Sequence, residues 1–282
     1  MDRPALPVLV VGAHTLDLRG VRTAIAELGL RSTTTPAIAP DLQAAITAFR
    51  YRYDLISAED CHRWLAARGL LYADLSASLQ RQRAGVVAAS AFEQDIDLLL
   101  GAAWPELASA VATRLAVAAE STPVLTPPFD WKQLDRDFLV WASDRRDLAA
   151  RTRLLTQTHL HWLRAVVHLA EFDSAESAWE AHWCVLQDGE PLPAIAARAA
   201  LAHRSGTEYL QDLPPSVARA LVQLAPGSTS EPIADGARWL LISLERVIEP
   251  ALSEPRIAEG IDRQLDAIAI EQLLARQVRW LI

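Results

Sequence analysis

The chain is short of cysteine and glycine, has no long apolar run, and carries no surplus of basic charge. Its two cysteines, Cys61 and Cys184, cannot build a disulfide framework. Nor can two thiols alone hold a structural zinc. Its 11 glycines are scattered and give neither a dinucleotide fingerprint nor a Walker loop. No nucleophile elbow is written either. No stretch approaches the ~18 apolar residues a membrane-crossing helix needs. Lys plus Arg is 27 against 35 Asp plus Glu, a net charge of −8. With a pI near 5.4, the chain lacks the basic face that phosphate backbones require, which excludes a nucleic-acid binder. The N-terminus has an early acid, Pro4 and Pro7, and a short apolar run, so no secretory signal is predicted. The chain reads as cytoplasmic, and a mature exported chain with its signal removed would read the same. No heptad array, solenoid period or low-complexity tract is present.

What remains is apolar material in quantity. Of 282 residues, 51% are hydrophobic, and the mean hydropathy is +0.11. That is enough for a core and excludes disorder. The length suits one large or two modest domains.

Element order sharpens the reading. Leu6–Val11 predicts a strand. Asp17 predicts a cap for a helix through Val21, Ala24, Ile25 and Leu28, stopped at Gly29. Asp41 opens another. Ser57-Ala-Glu-Asp60 is a capping-box pattern leading into Cys61, Trp64 and Leu65. Further helices are predicted from Tyr72, over Ala91–Leu100, over Pro105–Glu120, and over Trp131–Arg153 with a break near Ser143. Ser32–Ala39 reads as a loop and Ser121–Asp130, with its prolines, as a linker. After Thr156 the pattern alternates, with both faces apolar, which predicts a central strand through Trp162–Phe172. A helix capped at Asp173-Ser174 follows and stops at Gly189. Next come a short helix over Pro191–Ala200, an irregular segment, a helix over Pro214–Leu224, a hairpin turn at Asp235-Gly236 and a strand over Arg238–Leu244. Pro255–Trp280 predicts a long last helix.

In that order, Val166-Val-His168-Leu169, Ala175–Gly189, Leu192–Ala197, Pro214–Gly227, Ser230-Glu-Pro-Ile233 and Asp235–Arg246 resemble a parvulin-type (PpiC-type) peptidyl-prolyl isomerase domain. Val8–Gly12, Phe49–Asp60 and Trp64–Leu70 are similar to the helical substrate-binding domain of SurA-like chaperones. The resemblance implies a mainly α chain with an α+β domain. It implies a helical lobe over 1–155, a parvulin-like antiparallel sheet with helices over 156–248, and a C-terminal helix over 249–282 returning to the first lobe. Phe49-Arg-Tyr-Arg-Tyr53 and Arg276-Gln-Val-Arg-Trp280 also resemble a subgroup with degenerate parvulin domains, thought to serve maturation of ribosomally made peptides.

The resemblance implies His168 as the catalytic candidate. Active members carry a second histidine after the glycine on the last strand, and Arg238 or Trp239 holds that place here. A Gly-Gly-Asp-Leu-Gly-Trp segment is absent from Arg204–Leu213, and Val217 and Val222 stand where Phe is common. Peptide contacts are therefore expected at Val217, Val222 and Trp239, together with Trp179 and Trp183. These last two lie at i, i+4 on one helix, a spacing that also fits a packed core stripe.

Three other groupings invite a site. His159, His161, His168, His182 and Cys184 could suggest a metal, but strand parity puts His168 on the opposite face from His159 and His161, so no metal is expected. Cys61 beside His62 lacks a third group to orient a base and reads as a core thiol. Arg63, Arg68, Arg81 and Arg83, and Arg145, Arg146, Arg151 and Arg153, read as solvated helix faces or as a docking surface for an acidic peptide. The resemblance thus implies a peptide-binding chaperone or accessory factor without cofactor, acting on unfolded or precursor peptide. The alternatives are an active prolyl isomerase and a non-catalytic subunit beside a peptide-modifying enzyme.

Overall fold

The structure is a computed structural model that describes residues 6–33, 39–88, 90–122, 125 and 127–281. The N-terminus through residue 5, the middle of the predicted 32–39 loop and residues 123, 124 and 126 of the predicted linker lie outside the described residues. The chain divides into two compact units, Met1–Arg145 with Asp266–Ile282, and Arg146–Leu265.

The first unit is helical around a small sheet. Strands β1 (Pro7–Val11) and β2 (His14–Asp17) precede α1 (Leu18–Leu28), α2 (Leu42–Arg52), α3 (Ala58–Ala66), α4 (Tyr72–Ala84), α5 (Ala91–Leu100), α6 (Trp104–Ser121) and α7 (Trp131–Asp144). The helix starts are where the side chains dictate. Asp17 accepts from Gly20 N at 2.6 Å and Asp41 from Ala44 N at 2.7 Å, each satisfying an orphan first-turn donor. Gly29 takes φ 63°, the left-handed stop that side chains resist. Phe49, Tyr53 and Trp64 pack ring on ring, with centroids 5.0–5.5 Å apart, and the Arg68 guanidinium lies 3.7 Å over Trp64. Of the aromatic segment that carried the subgroup resemblance, Phe49 and Tyr53 pack at the α2–α3 turn, whereas Tyr51 is 81% exposed.

The capping box at α3 is complete. Ser57 Oγ accepts from Asp60 N at 3.0 Å, and the Asp60 carboxylate accepts from Ser57 N at 3.0 Å. The Ser57 hydroxyl, then the Ser57 amide, hold the Asp60 carboxyl below its ordinary value. A depressed carboxyl pKa adds stability that is present above the unfolded value and lost as pH falls through the folded one. Ser57→Ala should cost about 1 kcal/mol at neutral pH, read from the urea midpoint. It should also bring the Asp60 carboxyl back toward its ordinary value in an NMR titration. An unmoved titration would contradict the assignment.

The second unit is α+β. It holds α8 (Leu148–Gln157), the one-turn α9 (His159–Trp162), β3 (Arg164–Phe172), α10 (Ala175–Asp188), α11 (Leu192–Arg198) and β4 (His203–Tyr209). A 3-10 turn (Leu210–Asp212), α12 (Pro215–Gln223), β5 (Ile233–Asp235) and β6 (Arg238–Ile248) follow. Helix α13 (Pro255–Gln277) begins in this unit and ends in the first, where β7 (Val278–Trp280) closes the chain. The sheet order is β4-β3-β6-β5, all antiparallel. One sheet face, with Ala165, Val167, Leu169, Leu240, Ile242 and Leu244, packs on α12. At one end of the other face, Ala170, Phe172 and Leu241 pack on α10 and α11.

Four expectations are corrected. The stretch before β3 is a helical turn, so the strand parity applied to His159 and His161 does not hold. Both faces of β3 are fully buried only near Phe172; Val166 and His168 remain half-exposed. The segment read as irregular contains β4, a polar edge strand with one neighbour, which carries no apolar alternation to betray it. The last helix stops at Gln277, because Val278–Trp280 pairs with the open edge of β1. Backbone donors and acceptors on that edge need partners, and this outweighs three more helical residues. Among the described residues, no helix is long and apolar enough to cross a membrane.

Candidate functional site

Two surfaces of the second unit bring candidate residues together. The first is the half-open face of the sheet. The β3–β4 register sets His168 opposite Ser205, and the β3–β6 register sets it opposite Ser243. His168 Nδ1 lies 2.6 Å from Ser205 Oγ. Ser205 Oγ lies 3.4 Å from His203 Nε2. The two imidazoles stack at 5.9 Å and 15°, and Glu245 approaches His168 Nε2 at 3.9 Å. Beside them, Ser243 and Thr229 share a hydroxyl bond of 2.6 Å.

Strand β6 brings no histidine to His168. Arg238 pairs with Glu171 and sits five residues along β6 from Ser243, roughly 16 Å away at strand spacing. The neighbour on β6 is a serine. A histidine that does stand beside His168 is His203, contributed by β4. The spacing His203, Ser205, Thr207, Tyr209 is the signal that could have found it, since alternate residues of a strand share a face. His203 and Ser205 are exposed. The network can donate and accept hydrogen bonds on a peptide, and its β4 members stand exposed on the sheet surface.

The second surface is the outer face of α10. Ser174, not Asp173, caps this helix, accepting from Ser177 N. The core stripe of α10 is Ala178, Ala181 and His182. Trp179 and Trp183 lie outside it, 37% and 50% exposed, with Leu186 beyond them at 55%. The indoles stack with centroids 6.3 Å apart. His182, 5% exposed, meets both edge-on at 5.4 and 5.8 Å. The core explanation for the tryptophan pair therefore does not apply.

The remaining peptide candidates do not join them. Val217 is 1% exposed in the core between α12 and the sheet, so it touches no ligand unless that core opens. Val222 is 56% exposed and borders a shallow groove with Leu160, Leu210 and Arg219. Trp239 is half-buried against the α10–α11 cluster, on the opposite face of the sheet from Val217.

The rival sites resolve on physical grounds. Cys61 is 1% exposed, and burial pushes its thiol up, the opposite of an activated thiolate. His62 instead packs on Tyr72 at 5.4 Å. His159 pairs with Glu249 at 2.5 Å, and among the described residues no three His, Cys, Asp or Glu side chains gather to hold a metal. Most of the singled-out arginines are committed internally. Arg63 meets Glu59 and Asp60, Arg81 meets Asp97 and Glu93, Arg145 meets Glu120, and Arg151 meets Asp262 at 2.6 Å. Arg83 donates to the Ala39 and Pro40 carbonyls. They do not form a free docking surface for an acidic peptide.

No protein-family model and no curated protein matches the chain. Solved structures similar to it include a peptidylprolyl isomerase (PrsA) from Bacillus anthracis, at 13% identity and TM-score 0.29, covering 83% of this chain and 93% of that one. A foldase protein (PrsA) from Lactococcus lactis has 10% identity and TM-score 0.32, covering 98% and 94%. A SurA-like chaperone of Campylobacter jejuni has 14% identity and TM-score 0.25, covering 78% and 90%. At these TM-scores the likeness carries no weight for function, which rests on the geometry of the chain itself.

Proposed function

We propose that this chain is a peptide-binding folding factor of the parvulin/SurA-like kind, whose α+β unit holds unfolded or precursor peptide without isomerising it. The observation that carries the reading is the exposed, stacked Trp179–Trp183 pair on α10. Two rigid indoles offer large apolar contact area at little entropic cost, and tryptophan is enriched among the residues that dominate peptide and protein contacts. The support for a precursor peptide as client, and for a peptide-modifying enzyme as companion, is the sequence resemblance stated above.

The test is a titration of unfolded polypeptide with wild type and with Trp179→Ala/Trp183→Ala. Losing a contact residue of this kind costs about 2 kcal/mol, so the double variant should bind at least ~30-fold more weakly. Its far-ultraviolet dichroism should be unchanged, because both side chains lie outside the core. Unchanged affinity would sink the reading.

One observation favours a second reading, an active prolyl isomerase: the His168–Ser205–His203 network on the sheet. It requires cis–trans exchange to be accelerated by wild type and lost in both His168→Ala and His203→Ala.

A further inference from the structure

The charge around the tryptophan pair points to the chemistry of the client. At 100° per residue, Trp179, Trp183 and Leu186 form one edge of the exposed face of α10, and Glu176 and Glu180 lie next to them, along the middle of that face. Glu176 and Glu180 are exposed, and among the described residues neither has an ion-pair partner. Helix 175–188 carries three acids, the third being Asp188, and no Lys or Arg. Elsewhere on the molecule arginines stand beside carboxylates, as in Arg151–Asp262 and Arg81–Asp97; on this face the carboxylates stand beside bare indoles. A Lys or Arg laid there would gain the indole face by cation–π attraction and a carboxylate within one helical turn. The platform is also pre-formed, because the indoles stack on each other and buried His182 meets each of them edge-on, which lowers the ordering cost of binding.

We infer that the outer face of α10 receives a peptide segment combining aliphatic or aromatic side chains with Lys or Arg: a cationic, apolar client. This rests on the peptide-binding reading and adds to it the sign of the client's charge.

The experiment uses the full chain and two unstructured peptides of about fifteen residues. Both have the same Phe and Leu positions; one carries lysines where the other carries glutamates. Affinities are read by fluorescence anisotropy at low and moderate salt. The lysine peptide should bind at least ~10-fold more tightly, with the preference shrinking as salt screens it. Glu176→Lys/Glu180→Lys should cancel or reverse that preference. Glu27→Lys/Glu231→Lys makes the same change of net charge at exposed positions off this helix and should leave most of it. Trp179→Ala/Trp183→Ala should weaken both peptides.

Equal affinity for the two peptides, still dependent on the tryptophans, would overturn the inference and leave the peptide-binding reading standing. A lysine preference reduced equally by both charge variants would also overturn it, because the whole molecule's net charge would then be the cause. Binding of neither peptide would overturn both.

Discussion

Gly260→Ala destabilises the second unit by about 2 kcal/mol, although alanine is the better helix former. Gly260 lies in α13, where Gly→Ala at an unobstructed site returns up to ~1 kcal/mol. Here an added Cβ meets Trp162 Cη2 at 2.1 Å, with two further ring carbons at 2.9 and 3.0 Å. The indole cannot step aside. It is 4% exposed, it packs in a cluster with Leu154, Ile257 and Ile261, and its Nε1–H donates to Thr158 Oγ1 at 3.2 Å. Overpacking of this kind costs ~1–3 kcal/mol, and a contact at 2.1 Å belongs at or above the upper end. The clash therefore outweighs the helix propensity. Gly260→Val should be worse still, since it adds branching to the same collision. Urea unfolding reads both variants, and a midpoint at or above wild type for Gly260→Ala would contradict this packing.

Leu273→Asp should largely unfold the first unit. Leu273 comes from the far end of α13, yet it is 0% exposed in the core that also holds Leu9, Phe49, Leu65 and Leu115. The substitution removes roughly 2 kcal/mol of apolar burial. It also places a carboxylate without a partner in that core, at several kcal/mol more. Together these approach the ~5–15 kcal/mol by which a domain is usually stable. Ile268→Asp on the same helix, at a site 44% exposed, should stay within ~0.5 kcal/mol. Thermal unfolding and limited proteolysis distinguish the two. Equal stability of the variants would mean that residues 266–282 are not part of the first unit's core.

The features legible in the sequence are those set by local chemistry. Asp17, Asp41 and the Ser57–Asp60 box announce helix starts, because a cap hydrogen bond spans only three residues. Gly29 and Gly189 mark helix stops by their left-handed backbone. Asp235-Gly236 marks the hairpin that joins β5 to β6. What escaped is set by partners far along the chain. β4 is a strand because β3 offers it an edge, and its polar residues give no apolar signal. β7 leaves the helical pattern because β1 lies open 269 residues earlier, as in the Val10–Arg279 pair. Arg151 finds Asp262 across 111 residues, and that commitment is invisible to a charge pattern.

The candidate site divides in the same way. His168 was legible by resemblance, whereas its neighbours His203 and Ser205 needed the register of the sheet. Trp179 and Trp183 at i, i+4 were legible as a stripe, but the direction that stripe faces was not. Helical spacing tells which residues share a face. Only the position of the sheet tells which face is covered, and here the covered one belongs to Ala178, Ala181 and His182.

The most direct measurement is exchange NMR on an unstructured, proline-containing peptide with the full chain added at substoichiometric ratio. Line broadening reports binding, and cross-peaks between cis and trans forms report catalysis on a bond that otherwise exchanges over tens of seconds or more. The account predicts broadening that is lost in Trp179→Ala/Trp183→Ala, with no exchange cross-peaks. Cross-peaks that vanish in His168→Ala would contradict it and make the sheet network an isomerase site.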